Sequence, residues 1–327
     1  MPNARHVLAL LKTHIRGDDQ EFMSVAMQVA AQEARQGHIK LAEQIRDLID
    51  RAKRERTHSQ QRLLVLEPKG DLASLVTLQE PTALLTSLVL PMELEARLRR
   101  VLLEYRQQRR LRDHDLQPRR KLLFVGAPGT GKTTAAAAMA AELHVPLLVA
   151  RLEGIITKFM GETASKLRAI FDAMTLRTGV YLFDEFDALG TRRNQANDVG
   201  EIRRVLNSFL QFLEKDTSDS LVIAATNHPE LLDRALFRRF DDIIEFAAPD
   251  RELAHALMKS RLANFELHEL RWSELLAEGE GLSQAEFVRA SDDAAKDAVL
   301  AESSVVTHDR LLAAIRERKR THPSDSH

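Results

Sequence analysis

Eight consecutive residues, Gly126-Ala127-Pro128-Gly129-Thr130-Gly131-Lys132-Thr133, place three glycines, a lysine and a hydroxyl in the order G-x-x-x-x-G-K-[ST]. Glycines let backbone N–H groups turn inward around an anion, and a helix opening at the lysine adds partial positive charge. A loop of this kind cradles the phosphates of a nucleoside triphosphate. Lys132 is expected on the β- and γ-phosphates, with Thr134 and the loop from Gly126 onward lining the rest; the Thr133 hydroxyl is expected on Mg²⁺. A second cluster completes the chemistry: the apolar run Val180-Tyr181-Leu182-Phe183 ends in Asp184-Glu185. Carboxylates at a buried strand end are costly without a cation. Asp184 is therefore the expected metal ligand, and Glu185 the group that polarises a water attacking the γ-phosphate. Asp187 fits a helix cap or a salt bridge as well as a catalytic role. A third apolar run ends in Ala225-Thr226-Asn227. Strand C-termini converge on the ligand crevice of a parallel sheet, which would bring Asn227 to the water or the γ-phosphate. These residues predict ATP hydrolysis, with ATP and Mg²⁺ as cofactors.

The elements that must position them alternate. Strand-length apolar runs occur at Lys121–Val125, Pro146–Ala150, Val180–Asp184, Leu221–Thr226 and Ile243–Phe246, separated by amphipathic stretches at Lys132–Leu143, Ala164–Met174 and Gly200–Glu214. Near-continuous apolar strands alternating with helices predict an α/β fold of the P-loop type, a parallel sheet with helices on both faces. After Pro249 only helical patterns are legible (Arg251–Leu262, Trp272–Ala277, Ser283–Leu300 and Thr307–Arg318), which predicts a small all-helical lid. Thr307 is a plausible N-cap. Before the sheet, three amphipathic segments within residues 1–55 each carry apolar residues at 3–4 spacing, the mark of short helices with one buried face. The expected organisation is a helical interaction module at 1–56, a linker at 57–75, an ATPase domain at 76–250, a lid at 251–320 and a tail at 321–327.

Composition narrows the alternatives. The chain has 327 residues, 44% hydrophobic and 29% charged, with net charge −1, so no global field draws it to nucleic acid or anionic lipid. The absence of cysteine excludes disulfides, thiol nucleophiles and cysteine-ligated zinc, and fits a reducing, cytoplasmic setting. No stretch approaches the roughly 20 apolar residues that span a bilayer. The basic runs at 51–56 and Arg97–Arg112 read first as solvated helix faces and second as a nucleic-acid patch.

Taken together, these motifs resemble the AAA+ ATPases, and within them the protein-remodelling AAA branch, over residues 76–318. Leu231-Leu-Asp-Arg-Ala-Leu-Phe-Arg238-Arg239-Phe-Asp is similar to that branch's second region of homology, whose arginines reach a neighbouring subunit's γ-phosphate. Here Arg238 and Arg239 are adjacent, without the usual short insert; Arg239 is the first choice for the finger, and a structural salt bridge is the alternative. Thr157-Lys158-Phe159-Met160-Gly161-Glu162 resembles the aromatic–aliphatic–glycine pore loop of protein-threading members. Phe159 would grip an extended polypeptide, unless it packs in the core. Residues 194–200 stand where a second pore loop would be. Gly281-Leu-Ser-Gln-Ala-Glu-Phe287 is similar to the branch's lid motif, with Gln284 and Glu286 in place of its glycine and aspartate. The resemblance puts Ser283-Gln284-Ala285 and Leu88-Val89 near the adenine.

More faintly, the N-terminal helices resemble those of bacterial AAA ATPases paired with subtilisin-like serine proteases in phage defence. The chain itself carries no protease signature, so proteolysis would come from a separately encoded partner. The resemblance implies a ring homo-oligomer, a hexamer, acting on protein, with no membrane partner. Helicase-loader remodelling of nucleic acid and a nucleotide-dependent binding switch are the alternatives.

Overall fold

The computed structural model describes residues 26, 27, 29, 30, 71–81, 83–155, 160–189, 198–232 and 234–321. Contacts divide the chain into two units, 1–67 and 68–327. In the first, positions 26, 27, 29 and 30 are helical, and Ala26, Val29 and Ala30 are buried, as the second amphipathic segment requires. The other two expected N-terminal helices and the tail beyond 321 lie outside the described residues.

In the second unit, Asp71–Leu75, within the stretch expected as linker, form a helical turn that buries Leu75. Strand β1 (Val76–Gln79) follows directly, then helix α1 (Met92–Arg106), β2 (Lys121–Val125), α2 (Lys132–Leu143), β3 (Leu147–Ala150), α3 (Met160–Leu176), β4 (Val180–Phe183), α4 (Asp198–Lys215), β5 (Leu221–Thr226) and β6 (Asp242–Glu245). The sheet runs β1-β3-β4-β5-β2-β6. β2 to β6 are mutually parallel; β1 pairs antiparallel with β3, Val76 opposite Ala150 and Gln79 opposite Leu147. This edge strand was absent from the sequence reading, and β6 begins one residue earlier than its apolar run.

Alternation within each strand feeds two cores. Leu123, Tyr181, Phe183, Val222 and Ala224 point to the face covered by α3 and α4. Leu122, Phe124, Val180, Leu182, Ile223 and Ala225 point to the face covered by α1 and α2. Period-two side chains make both faces apolar, which is why these strands read as unbroken hydrophobic runs. On the α3/α4 side, Phe171, Phe183, Phe186 and Phe209 form a ring cluster, with Phe186 and Phe209 centroids 4.7 Å apart. Each such ring contributes about 2–3 kcal/mol by burial.

The lid comprises α5 (Arg251–Arg261), α6 (Trp272–Glu278), α7 (Gln284–Leu300) and α8 (His308–Thr321). It also holds a two-stranded parallel ladder, β7 (Glu266–His268) with β8 (Val305–Thr307), which corrects the expectation of helices alone. Thr307, expected as an N-cap, closes β8 just before α8 begins. Ser283 caps α7 in a reciprocal box with Glu286: each side chain accepts from the other residue's backbone N–H.

Candidate nucleotide site

Three neighbouring strands, β4-β5-β2, bring the predicted chemistry to one sheet edge. β2 delivers the phosphate loop, β4 the Asp184-Glu185 pair and β5 Asn227, all at their C-terminal ends. The loop leaves β2 at Gly126, with φ +154°. A Cβ there would lie 2.2 Å from the Phe246 carbonyl oxygen, so the residue after Val125 has to be glycine. Gly131, with φ +89°, occupies the N-cap position of α2. Within the loop the Thr130 hydroxyl donates to the Ala127 carbonyl at 2.8 Å.

Lys132 opens α2 and is 6% exposed. Its ammonium donates to the carbonyls of Gly126 (2.7 Å) and Ala127 (2.9 Å) and to Asn227 Oδ1 (2.8 Å). Burial pushes its pKa below the ordinary lysine value, and the charges of Asp184 and Asp187 pull it back. The Thr133 hydroxyl donates to Asp184 Oδ2 at 2.6 Å, and Asp184 Oδ1 accepts the Glu185 N–H at 2.9 Å. The two groups expected on the metal are therefore already side by side. Two protein ligands suit Mg²⁺, which completes its octahedron with phosphate oxygens and water.

Glu185 has φ +50° and is exposed, whereas Phe186 beside it is fully buried. Anchoring Phe186 under α4 while Asp184 stays at the strand end turns the Glu185 side chain outward. The fixed hydrogen-bond donors and carboxylates of this corner can hold a triphosphate, neutralise charge developing on its γ-phosphoryl group and activate water.

These residues line a cleft of about 820 Å³ that continues to the lid. Leu88, Val89, Leu257 and Val288 supply its apolar end, and Gln284 and Ala285 close it, as the resemblance implied for the adenine side. The Ala285 N–H donates to the Gly129 carbonyl at 2.9 Å. Ser283 sits so close that a Cβ on Gly129 would meet its hydroxyl at 2.7 Å.

The structure does not gather every predicted residue here. Arg238 and Arg239 are exposed and lie outside the residues lining the cleft. Arg239 pairs with Glu214 of α4. Lys158 and Phe159 lie outside the described residues, as do positions 190–197. Met160 and Gly161 form the first turn of α3 rather than a loop ahead of it, a lone helical glycine costing about 1 kcal/mol against alanine. Conversely, the sequence reading missed Arg261 and Arg289 in the cleft. The helical spacing of four from Ala285 to Arg289 is the signal that could have found the latter. Arg261 is paired with Asp292.

A family model for the ATPase family associated with various cellular activities (AAA) matches residues 122–248. The chain is 32% identical over 307 residues to an uncharacterized AAA family ATPase, y4kL, of Sinorhizobium fredii, covering 93% of this chain and 92% of that protein. It is 32% identical over 208 residues to a proteasome-activating nucleotidase of Methanoregula boonei, covering 61% of this chain and 48% of the relative. An ATP-dependent zinc metalloprotease, FtsH 2, of a Thermoanaerobacter species is 34% identical over 200 residues, 59% of this chain and 39% of the relative. The chain thus spans about half or less of these last two. Matched along nearly the whole of one relative and built around this corner of the sheet, the chain belongs to the AAA family and hydrolyses ATP with Mg²⁺.

Proposed function

We propose that ATP hydrolysis by this chain drives the pulling or remodelling of a protein substrate by a ring of identical copies, a hexamer. In this reading Lys132 and the loop bind the triphosphate, Thr133 and Asp184 hold Mg²⁺, Glu185 activates water and Asn227 orients it. Arg238 or Arg239 of each copy serves the site of its neighbour. The observation that carries the reading is the exposed Arg238 beyond a cleft otherwise equipped for hydrolysis; Arg239, paired with Glu214, would have to leave that partner to serve a neighbour. Exposed guanidinium groups beyond the chain's own cleft are suited to a site on another copy. A proteasome-activating nucleotidase and an ATP-dependent protease among the relatives support protein as the substrate. Residues 1–56 would recruit substrate or a subtilisin-like protease partner in phage defence, and Lys158-Phe159-Met160-Gly161 would grip the polypeptide.

Glu185→Gln, incubated with ATP and sized by light scattering, should assemble; a monomer at all concentrations would sink the ring. A pull-down with the same variant should retain protein substrate. Phe159→Ala should stop substrate processing while basal hydrolysis stays within a few-fold. Co-expression with a candidate subtilisin-like protease should give a complex that loses residues 1–56 as its attachment point when they are deleted; binding unchanged by that deletion contradicts the recruiting role.

The nucleic-acid alternative rests on the Arg97–Arg112 stretch, where five of the seven arginines pair with carboxylates while Arg109 and Arg110 are exposed, and on the 51–56 run, which lies outside the described residues. Arg97 pairs with Asp242, Arg99 with Glu95, Arg100 with Glu104, Arg106 with Glu142 and Arg112 with Asp219. Pairing with these carboxylates offsets the positive charge of the stretch and so favours the protein-substrate reading.

A further inference from the structure

Asp187 takes no direct part in the chemistry assigned above, yet its carboxylate lies under the site. It is buried, on the short turn Phe186–Leu189 that follows Glu185. Its Oδ1 accepts the Thr226 hydroxyl at 3.0 Å and the backbone N–H of Asn227 at 3.2 Å. The Thr226 oxygen in turn accepts the N–H of His228 at 3.0 Å. A carboxylate two positions from Glu185 thus holds Asn227 by its own N–H and by the preceding hydroxyl, which in turn holds the N–H of the residue that follows. Asn227 presents Oδ1 to the Lys132 ammonium at 2.8 Å, which turns its NH₂ group away from the lysine.

We infer that Asp187 is a positioning residue for hydrolysis: it fixes Asn227 relative to Glu185, so that the group orienting the water and the group activating it keep one separation. Without it, β4 and β5 would still pair, because their ladder ends at Phe183 opposite Ala224. Only the turn beyond the ladder would be released. Displacing a reacting group by about 1 Å costs on the order of 100-fold in rate, so a partly released turn is worth about 10-fold or more. The two bonds that fix the turn go to one acceptor oxygen, so an amide oxygen at position 187 can accept both.

The inference rests on the assigned role of Asn227, and the test separates the two. ATPase rates and mant-ADP affinities are measured for Asp187→Ala, Asp187→Asn, Asn227→Ala and the Asp187→Ala/Asn227→Ala double variant. Asp187→Ala should lower kcat about 10-fold or more, with mant-ADP affinity within about 2-fold of wild type, and Asp187→Asn should recover most of the rate. In the Asn227→Ala background, adding Asp187→Ala should cost less than about 2-fold, because the residue it positions is gone. An equal loss in both backgrounds overturns the inference, as does Asp187→Asn being as slow as Asp187→Ala. If Asp187→Ala does not fold, Thr226→Val removes one of the two bonds and leaves the carboxylate. It should slow the wild type and leave Asn227→Ala unchanged, and a loss in both overturns the inference. Wild-type turnover by Asn227→Ala would instead refute the reading of Asn227 itself.

Discussion

Replacing Glu104 by glutamine should destabilise the protein by about 2–3 kcal/mol at neutral pH, and the loss should disappear in acid. Glu104 is buried on α1, where it accepts from the Arg119 guanidinium at 2.7 Å, the Arg119 backbone N–H at 3.0 Å and Arg100 at 2.8 Å. Arg119 extends to Asp242 of β6 at 3.1 Å, so one carboxylate ties α1 to the approach to β2 and to the sheet edge. The hydrogen bond from Arg119 holds the Glu104 pKa at about 2 against an ordinary 4.5, although burial opposes it. At about 1.4 kcal/mol for each tenfold change in proton affinity, the charged form stabilises the fold by ~3 kcal/mol. The arginine's partial exposure trims that figure. Because the folded pKa is depressed, the contribution is fully present above 4.5 and drains away as the pH falls toward 2. Urea unfolding followed by circular dichroism at pH 7 and at stepwise lower pH should therefore show the gap between wild type and Glu104→Gln closing. A gap under about 0.5 kcal/mol at pH 7, or one unchanged at pH 3, would refute the assignment.

Gly126→Ala should weaken mant-ADP binding at least about 10-fold, because the loop cannot keep its path beside the Phe246 carbonyl; unaltered affinity would contradict the packing. Asp216→Ala should cost about 3 kcal/mol, since it removes the carboxylate that the buried Arg120 guanidinium meets at 2.9 Å and leaves that charge to backbone carbonyls alone. Differential scanning fluorimetry should record a melting point lower by roughly 6–12 °C, and a change below about 3 °C would count against a buried ion pair. Ser283→Ala should lose about 1 kcal/mol from the α7 cap, with Ser283→Thr retaining most of it; equal losses in urea melts would show that the hydroxyl does not cap.

The four inner strands, β2 to β5, were legible because both of their faces are largely buried, leaving unbroken runs such as Leu221–Thr226 between helical patterns; β6, at the sheet's other edge with only Ile244 buried, was legible from the short apolar run Ile243–Phe246 alone. β1 was not, since only Val76 of its four residues is buried, and β7 was not, since all three of its residues are exposed. Neither leaves the hydrophobic trace that a periodicity argument needs. The phosphate loop, Asp184, Glu185 and Asn227 were readable from type and spacing because each follows a recognisable strand. The bond from Asp187 to the Asn227 turn spans 40 positions, and Arg239 meets Glu214 across the end of another strand. Pairings of that kind come from tertiary folding and have no local signature.

The left-handed backbone at Glu185 sets catalysis against robustness. A residue with a side chain at φ +50° carries about 1 kcal/mol or more of strain, which glycine would not feel. Glu185→Gly should therefore outlast the native protein on heating while hydrolysing nothing, whereas Glu185→Gln keeps the strain along with the loss of activity. The buried Phe186 and the strand-end Asp184 set this conformation, and under the proposed role of Glu185 the strain is what turnover costs in stability.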